Sequence, residues 1–326
     1  MRLTSTLVTL IALFGSVTPA QAQAMPQCGQ VITQNFTLMG DWSCAGEPAL
    51  VVGANGLRIN LNGHTLSGSP AIRMTDVDGT TVRGGTIPST IEAVNATNTR
   101  FVDMTMGQPS SASVGDWPGT TVTFVRSTVT MWRLFCGTRC QFQESTTSMN
   151  QIGADHLVLQ GGGSHSVNYV GAINLDVLNT TLRPITLGGS ERLTVRGSQL
   201  KGAEVIATGR IELLNNTFSG GVWLGVHRPV SGVIRGNRFE KMQQAGLTVR
   251  SQTLNGPLLI ERNTFADNLR DGLRIDVPIP LDITVRRNTS ENNGQYGMWA
   301  PAGAVTDGGN NVSNNDALGC FTIVCS

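Results

Sequence analysis

Trp223, Thr248, Arg250, Arg274, Asp276 and Trp299 return at the interval of an internal repeat, so a fold that stacks the repeats brings them into one column. Trp faces stack on pyranose rings, and guanidinium groups form paired hydrogen bonds with carboxylates. Such a column describes a surface for a sugar polymer that carries uronic acids. Arg73 and Glu92 fall in the same column nearer the start, and His227 follows Trp223 at its edge. Elimination at a uronate needs a base at the carbon beside the carboxylate and a positive group or metal that neutralises the carboxylate as charge develops. Hydrolysis needs two carboxyl groups at a defined separation, and the chain contains no Asp-Asp pair.

The elements that must hold this column are short strands. An apolar run, an Asn and then Phe or a small residue recurs as Leu213-Leu214-Asn215-Asn216-Thr217-Phe218, Val233-Ile234-Arg235-Gly236-Asn237-Arg238-Phe239, Leu259-Ile260-Glu261-Arg262-Asn263-Thr264-Phe265 and Thr284-Val285-Arg286-Arg287-Asn288-Thr289-Ser290. Asn216, Asn237, Asn263, Asn288 and Asn311 are 21, 26, 25 and 23 residues apart. Between them lies a Gly followed by alternating apolar residues, as in Gly246-Leu247-Thr248-Val249 and Gly272-Leu273-Arg274-Ile275. The runs are short, alternate, and are rich in Val, Ile, Leu and Thr, and no window carries a helical stripe over three turns. Coils stacked in one direction place equivalent residues about 4.8 Å apart. An Asn column suits that spacing because each amide both donates and accepts. The Phe after each Asn is expected to stack inside.

These features resemble the right-handed parallel β-helix proteins of the pectate-lyase-like superfamily. The resemblance extends to the opening, Cys28-Gly29 through Cys44 to Ala49-Leu50-Val51-Val52 and then Gly56 to Gly68, and to the ending Asp307-Gly308-Gly309-Asn310-Asn311 with Cys320 and Cys325. It implies an all-β fold, a single-stranded right-handed parallel β-helix solenoid. In the manner of the resembled lyases, Arg250 or Arg274 would be the base of a β-elimination and Asp276 would hold Ca²⁺. Calcium prefers six to eight oxygen ligands, and the column offers Asp276 and the distant Glu92. The Asp and His motifs of the polygalacturonase-like members and the Asp-Pro-His-Asp run of the alginate epimerases do not occur. His64, in Asn62-Gly63-His64-Thr65, matches a segment that closes the first coil in the family.

Met1-Arg2, an apolar run from Leu7 to Phe14 and small residues at Ala20, Ala22 and Ala24 read as a secretory signal peptide over residues 1–24, with 25–326 forming one solenoid domain. No later segment reaches the roughly 18 consecutive apolar residues that would span a membrane. The expected location is secreted or periplasmic. The even set of six Cys then favours the local disulfides Cys28 with Cys44, Cys136 with Cys140 and Cys320 with Cys325. Linking the ends has a structural reason, because an uncapped coil exposes unpaired backbone groups. Charged residues are 14% of the chain, and loss of Arg2 brings 23 basic residues to 22, level with 22 acids. That balance speaks against a nucleic-acid partner. A monomer is expected.

Coils are drafted as starting near Ala49, Ala71, Ile91, Thr121, Gln141, Gly171, Ile185, Val205, Val222, Leu247, Leu273 and Met298, with looped interruptions at Gly107 to Gly119 and at Gly161 to Ser166. A second column, Arg83, Arg196, Arg235, Glu261 and Arg286, reads either as a polyanion track or as a solvated, partly paired ladder. Two function classes follow: an exported β-helix that binds, and cleaves by β-elimination, an acidic polysaccharide, or a non-catalytic envelope or surface protein that binds glycan or serves as an accessory factor.

Overall fold

The computed structural model describes residues 27–107, 114–183, 186–201, 204–207, 209–221, 224–226, 231–251, 254, 256–277 and 281–326. They form a parallel β-solenoid of about thirteen turns with no helix. One turn runs through three faces. Leu247–Val249 lies on face A, Leu258–Glu261 on face B, Thr264–Ala266 on face C, and Leu273–Ile275 begins the next turn on face A. The strand pairings among the described residues are parallel, as Leu247 with Leu273, Ile260 with Val285 and Phe239 with Phe265, with a register shift between Ala172 and Asn174. In the middle of the rod the corners disappear into long bent strands: Thr146–Gln160 and Ser164–Leu178 each cross faces C, A and B in turn.

The alternation in the sequence decides what points inward. Leu247, Val249, Leu273, Ile275 and Met298 are all fully buried, the inward set expected of a period of two. Phe218, Phe239 and Phe265 stack with centroids 4.9 and 5.2 Å apart, and Phe101, Phe124 and Phe142 do the same at 5.4 and 4.7 Å. Each such ring contributes roughly 1.5–3 kcal/mol by burial.

The Asn column is a continuous buried ladder. The Nδ2 groups of Asn216, Asn237, Asn263 and Asn288 donate to the Oδ1 of the next Asn at 2.9, 3.0, 3.0 and 3.2 Å, and Asn311 Nδ2 donates to Asp307 at 3.1 Å. Toward the start its place is taken by hydroxyls, with Ser198 N donating to Asn216 Oδ1 and Thr180 N to Ser198 Oγ. A second ladder, not anticipated from sequence, runs at the next corner: Asn268 Nδ2 donates to Asn293 at 2.8 Å, and Asn293 Nδ2 to Asp316 at 2.7 Å. The residue before each rung of the first ladder is left-handed, as at Asn215, Arg262 and Arg287 with φ of 56, 55 and 56°. That conformation turns the chain sharply from face B to face C.

Cys28–Cys44, Cys136–Cys140 and Cys320–Cys325 are disulfides, as the spacing suggested, and no cysteine is free. Two readings are corrected. Gly161 to Ser166 is no projecting loop: Gly163 is pressed against the Ser145 backbone, Ser164 starts a strand, and His165 is fully buried. The coil starts drafted at Thr121 and Gln141 lie on face B, because Val114–Trp117 and the end of Thr128–Cys136 supply the face A strands that the draft missed. Trp117 is buried there and donates Nε1 to the Ile91 carbonyl at 3.0 Å. Residues 108–113 of the other interruption lie outside the described residues.

Candidate functional site

The face A column is set by the register Thr248, Arg274, Trp299, Phe321 over four successive rungs. Each strand follows a Gly, and at Gly246, Gly272 and Gly297 the packing requires it. A Cβ on Gly272 would lie 2.8 Å from Phe265 Cβ and 2.5 Å from the Gly297 carbonyl, so only Gly lets the turn close against the Phe stack. The alternation then presents Arg274 and Trp299 outward.

Arg274 is held from three sides. Its Nη1 donates to Asp271 at 3.1 Å, its Cζ lies 4.5 Å above the Trp299 ring, and its Nε is 3.9 Å from Asp276. Asp271 is 1% exposed, and its other oxygen accepts from the Tyr296 backbone N at 3.1 Å. Arg250 Nε lies 3.4 Å from Asp276 Oδ2. Trp299 stacks on Phe321 at 6.3 Å and 12°, and the Tyr296 ring lies 6.0 Å from Phe321, tilted by 55°. Phe321 is 48% exposed. The result is a patch of aromatic faces and oriented, charge-assisted donors.

The predicted residues are thus divided. Arg250, Arg274, Asp276 and Trp299 come together. Arg73 and Glu92 pair with each other at 2.8 Å on neighbouring rungs of the same face, but about eight rungs from Thr248, or roughly 40 Å at the sheet repeat. Thr248 sits in the column yet is only 4% exposed, which corrects its expected place on a ligand surface: it is covered where it stands. Trp223 and His227 lie outside the described residues. Asp271, Tyr296 and Phe321 were missed. Gly319-Cys320-Phe321 repeats the Gly297-Met298-Trp299 pattern, so Phe321 was legible; Asp271 was marked only by standing before Gly272.

The donor set at Asp276 does not fit Ca²⁺. Its close neighbours are two guanidinium groups, and among the described residues no three His, Cys, Asp or Glu side chains converge to hold a metal.

The second column lies on face B and is mostly paired. Glu261, nearly buried, forms ion pairs with Arg235 at 2.9 Å and Arg286 at 3.0 Å, with Arg287 at 3.7 Å. Burial pushes its carboxyl up, but Arg286, Arg235 and Arg262 outweigh this and hold it below the usual carboxylate range. Glu212 is likewise bracketed by Arg196 at 2.6 Å and Arg210 at 3.0 Å, and Asp176 by His156 and Arg192, both at 3.0 Å. Glu261→Gln is expected to lower unfolding stability by about 2 kcal/mol, since charge-assisted bonds become neutral ones. Denaturant titration of the two proteins measures this, and coincident curves would show that the bracket is only superficial.

Comparison with known proteins agrees with the fold. Residues 188–324 match the family model described as right handed beta helix region. The solenoid is accordingly a right-handed parallel β-helix, the architecture of the pectate-lyase-like proteins that the sequence resembles. No curated protein matches the chain. Among solved structures, one described as the complex of alginate lyase AlyF-OU02 with G6 matches at 9% identity and a TM-score of 0.26, over 81% of this chain and 78% of that one. A likeness of that extent bears on neither substrate nor site.

Proposed function

We propose that this is an exported β-helix protein that binds an acidic polysaccharide at the far end of face A. Trp299 and Phe321 serve as stacking surfaces, and Arg250 and Arg274 as donors to uronate carboxylates. The observation that carries this is Arg274, fixed between buried Asp271 and the Trp299 ring with its patch open to solvent. Such preorganised donors lose little freedom on binding. Three disulfides accord with an oxidising compartment.

In the enzymatic form of this reading, Arg274 neutralises the carboxylate and Arg250 takes the proton from the carbon beside it. The glycosidic carbon–oxygen bond breaks, a carbon–carbon double bond forms, and the leaving oxygen gains a proton. Binding without turnover is the second reading, favoured by the carboxylate that stands beside each guanidinium.

The test is made on protein recovered from the periplasm or medium, where a chain beginning at Gln23 or Met25 is expected. It is mixed with polygalacturonate, alginate and glycosaminoglycans while ultraviolet absorbance follows unsaturated uronate ends and calorimetry follows binding. Trp299→Ala and Arg274→Gln are each expected to weaken binding about tenfold, or 1.4 kcal/mol, with chelation having no effect. Binding that survives both substitutions unchanged would remove the face A site.

A further inference from the structure

Face B is not uniform along the rod. In its second half each strand-borne Arg is matched to Asp176, Glu212 or Glu261, as described. In its first half four outward guanidinium groups, Arg58, Arg83, Arg100 and Arg139, have no carboxylate partner among the described residues. Arg58 and Arg100 share one column, two rungs apart, through the register Arg58, Thr81, Arg100, Thr123, Gln141; Arg83 lies in the column beside it and Arg139 on the Gln141 strand. The first three are exposed and Arg139 is half-buried. Two acids at the corners of this region are already engaged. Asp103 is gripped by Arg126 at 2.8 and 2.9 Å, and Asp78 accepts from Thr97 and Asn98 at 2.5 and 2.7 Å.

Four like charges are thus held on a flat, rigid strip about 19 Å long, four rungs at the sheet repeat. The whole chain is close to neutral, at +1, so this is a local concentration of charge rather than a property of the composition. Such a strip draws an extended anion along its length, and its unpaired forks take up carboxylate or sulfate groups.

We propose that the first half of face B is a binding track for a linear acidic polysaccharide laid along the rod axis, separate from the face A patch. Thr81, Thr123 and Gln141 between the charges offer hydroxyl and amide partners for sugar hydroxyls. The outward positions of these strands carry no aromatic ring on which bases would stack, which favours a glycan over a nucleic acid.

The test compares the full chain with Arg58→Gln/Arg83→Gln/Arg100→Gln/Arg139→Gln and with the four corresponding Arg→Lys changes. The probes are polygalacturonate for carboxylates, heparin for sulfates, neutral dextran, and a single-stranded oligonucleotide. The Gln variant is expected to lose at least about tenfold in affinity for an acidic glycan and to show a flatter salt dependence, while the Lys variant keeps most of both. Trp299→Ala is expected to leave this component intact, so loss of the face A site and loss of the track are told apart. In the unsubstituted protein, polygalacturonate or heparin should shield these four arginines from phenylglyoxal, a readout independent of whether the variant folds. Unchanged affinity in the Gln variant, absence of shielding, or tighter binding of the oligonucleotide than of either glycan would each overturn the proposal.

Discussion

Asn263→Ala is expected to cost about 4 kcal/mol of stability, far more than an ordinary polar-to-Ala change. Asn263 sits mid-ladder. Its Oδ1 accepts from both the backbone N and the Nδ2 of Asn237 at 3.0 Å, while its Nδ2 donates to Asn288 Oδ1 at 3.0 Å and to the Ile234 carbonyl at 2.8 Å. All of these atoms belong to a buried corner, so truncation leaves both neighbours short of partners with little access to water. Because each coil contacts only its neighbours, the loss should appear as early opening of the C-terminal coils rather than as a uniform weakening. Denaturant unfolding with hydrogen exchange measures both. Asn314→Ala, at an exposed position, should shift stability by under about 0.5 kcal/mol. If the Asn263 and Asn314 variants unfold together, the ladder is decoration.

His165→Leu is expected to remove a pH dependence of about 3 kcal/mol. His165 is fully buried beside Phe142; its Nδ1 lies 3.0 Å from Thr147 Oγ1, and its Nε2 has no partner. Burial lowers its pKa from 6.5 to about 4. Between those values the unfolded chain binds the proton and the folded chain does not. The contribution to stability is therefore complete above pH 6.5 and lost progressively as pH falls toward 4, by about 1.36 kcal/mol per unit. Leu is a natural replacement, since the register partner of His165 on the next coil is Leu182. The variant should overtake the parent protein near pH 4.5 and resemble it near pH 7. Parallel stability curves for the two across this range would contradict the assignment. Glu212 and Glu261, held low by their arginines, add their own losses only at more acidic pH.

The sequence revealed most of the fold because a solenoid writes its geometry as repetition. Asn216 through Asn311, the Phe column and the Gly before each face A strand all announce a corner or a rung at one spacing. Where spacing alone was the guide, as at Thr121 and Gln141, the face was misassigned, because the middle coils turn without the Asn and Gly that mark corners elsewhere. The second ladder, Asn268 to Asn293 to Asp316, was written with the same period but lacked flanking Phe to draw attention. At the site, outward alternation found Arg274 and Trp299. It could not find Asp271, whose role depends on a turn folding back under the Arg, nor foresee that Thr248 would be covered. Nor could it separate the paired arginines of face B from the unpaired ones, since a column fixes which residues are adjacent but not which carboxylate reaches across to them.

The two amide ladders also have an electrical sense. In both, each amide donates one N–H to the following coil and turns its carbonyl oxygen to the preceding one, so their small dipoles add along the rod as those of peptide groups add along a helix. The positive end of each sum meets a carboxylate, Asp307 for the first ladder and Asp316 for the second. A carboxylate accepts but has nothing to donate. These two acids therefore act as terminators: they neutralise the accumulated polarity and, by their chemistry, end the relay at the last coils.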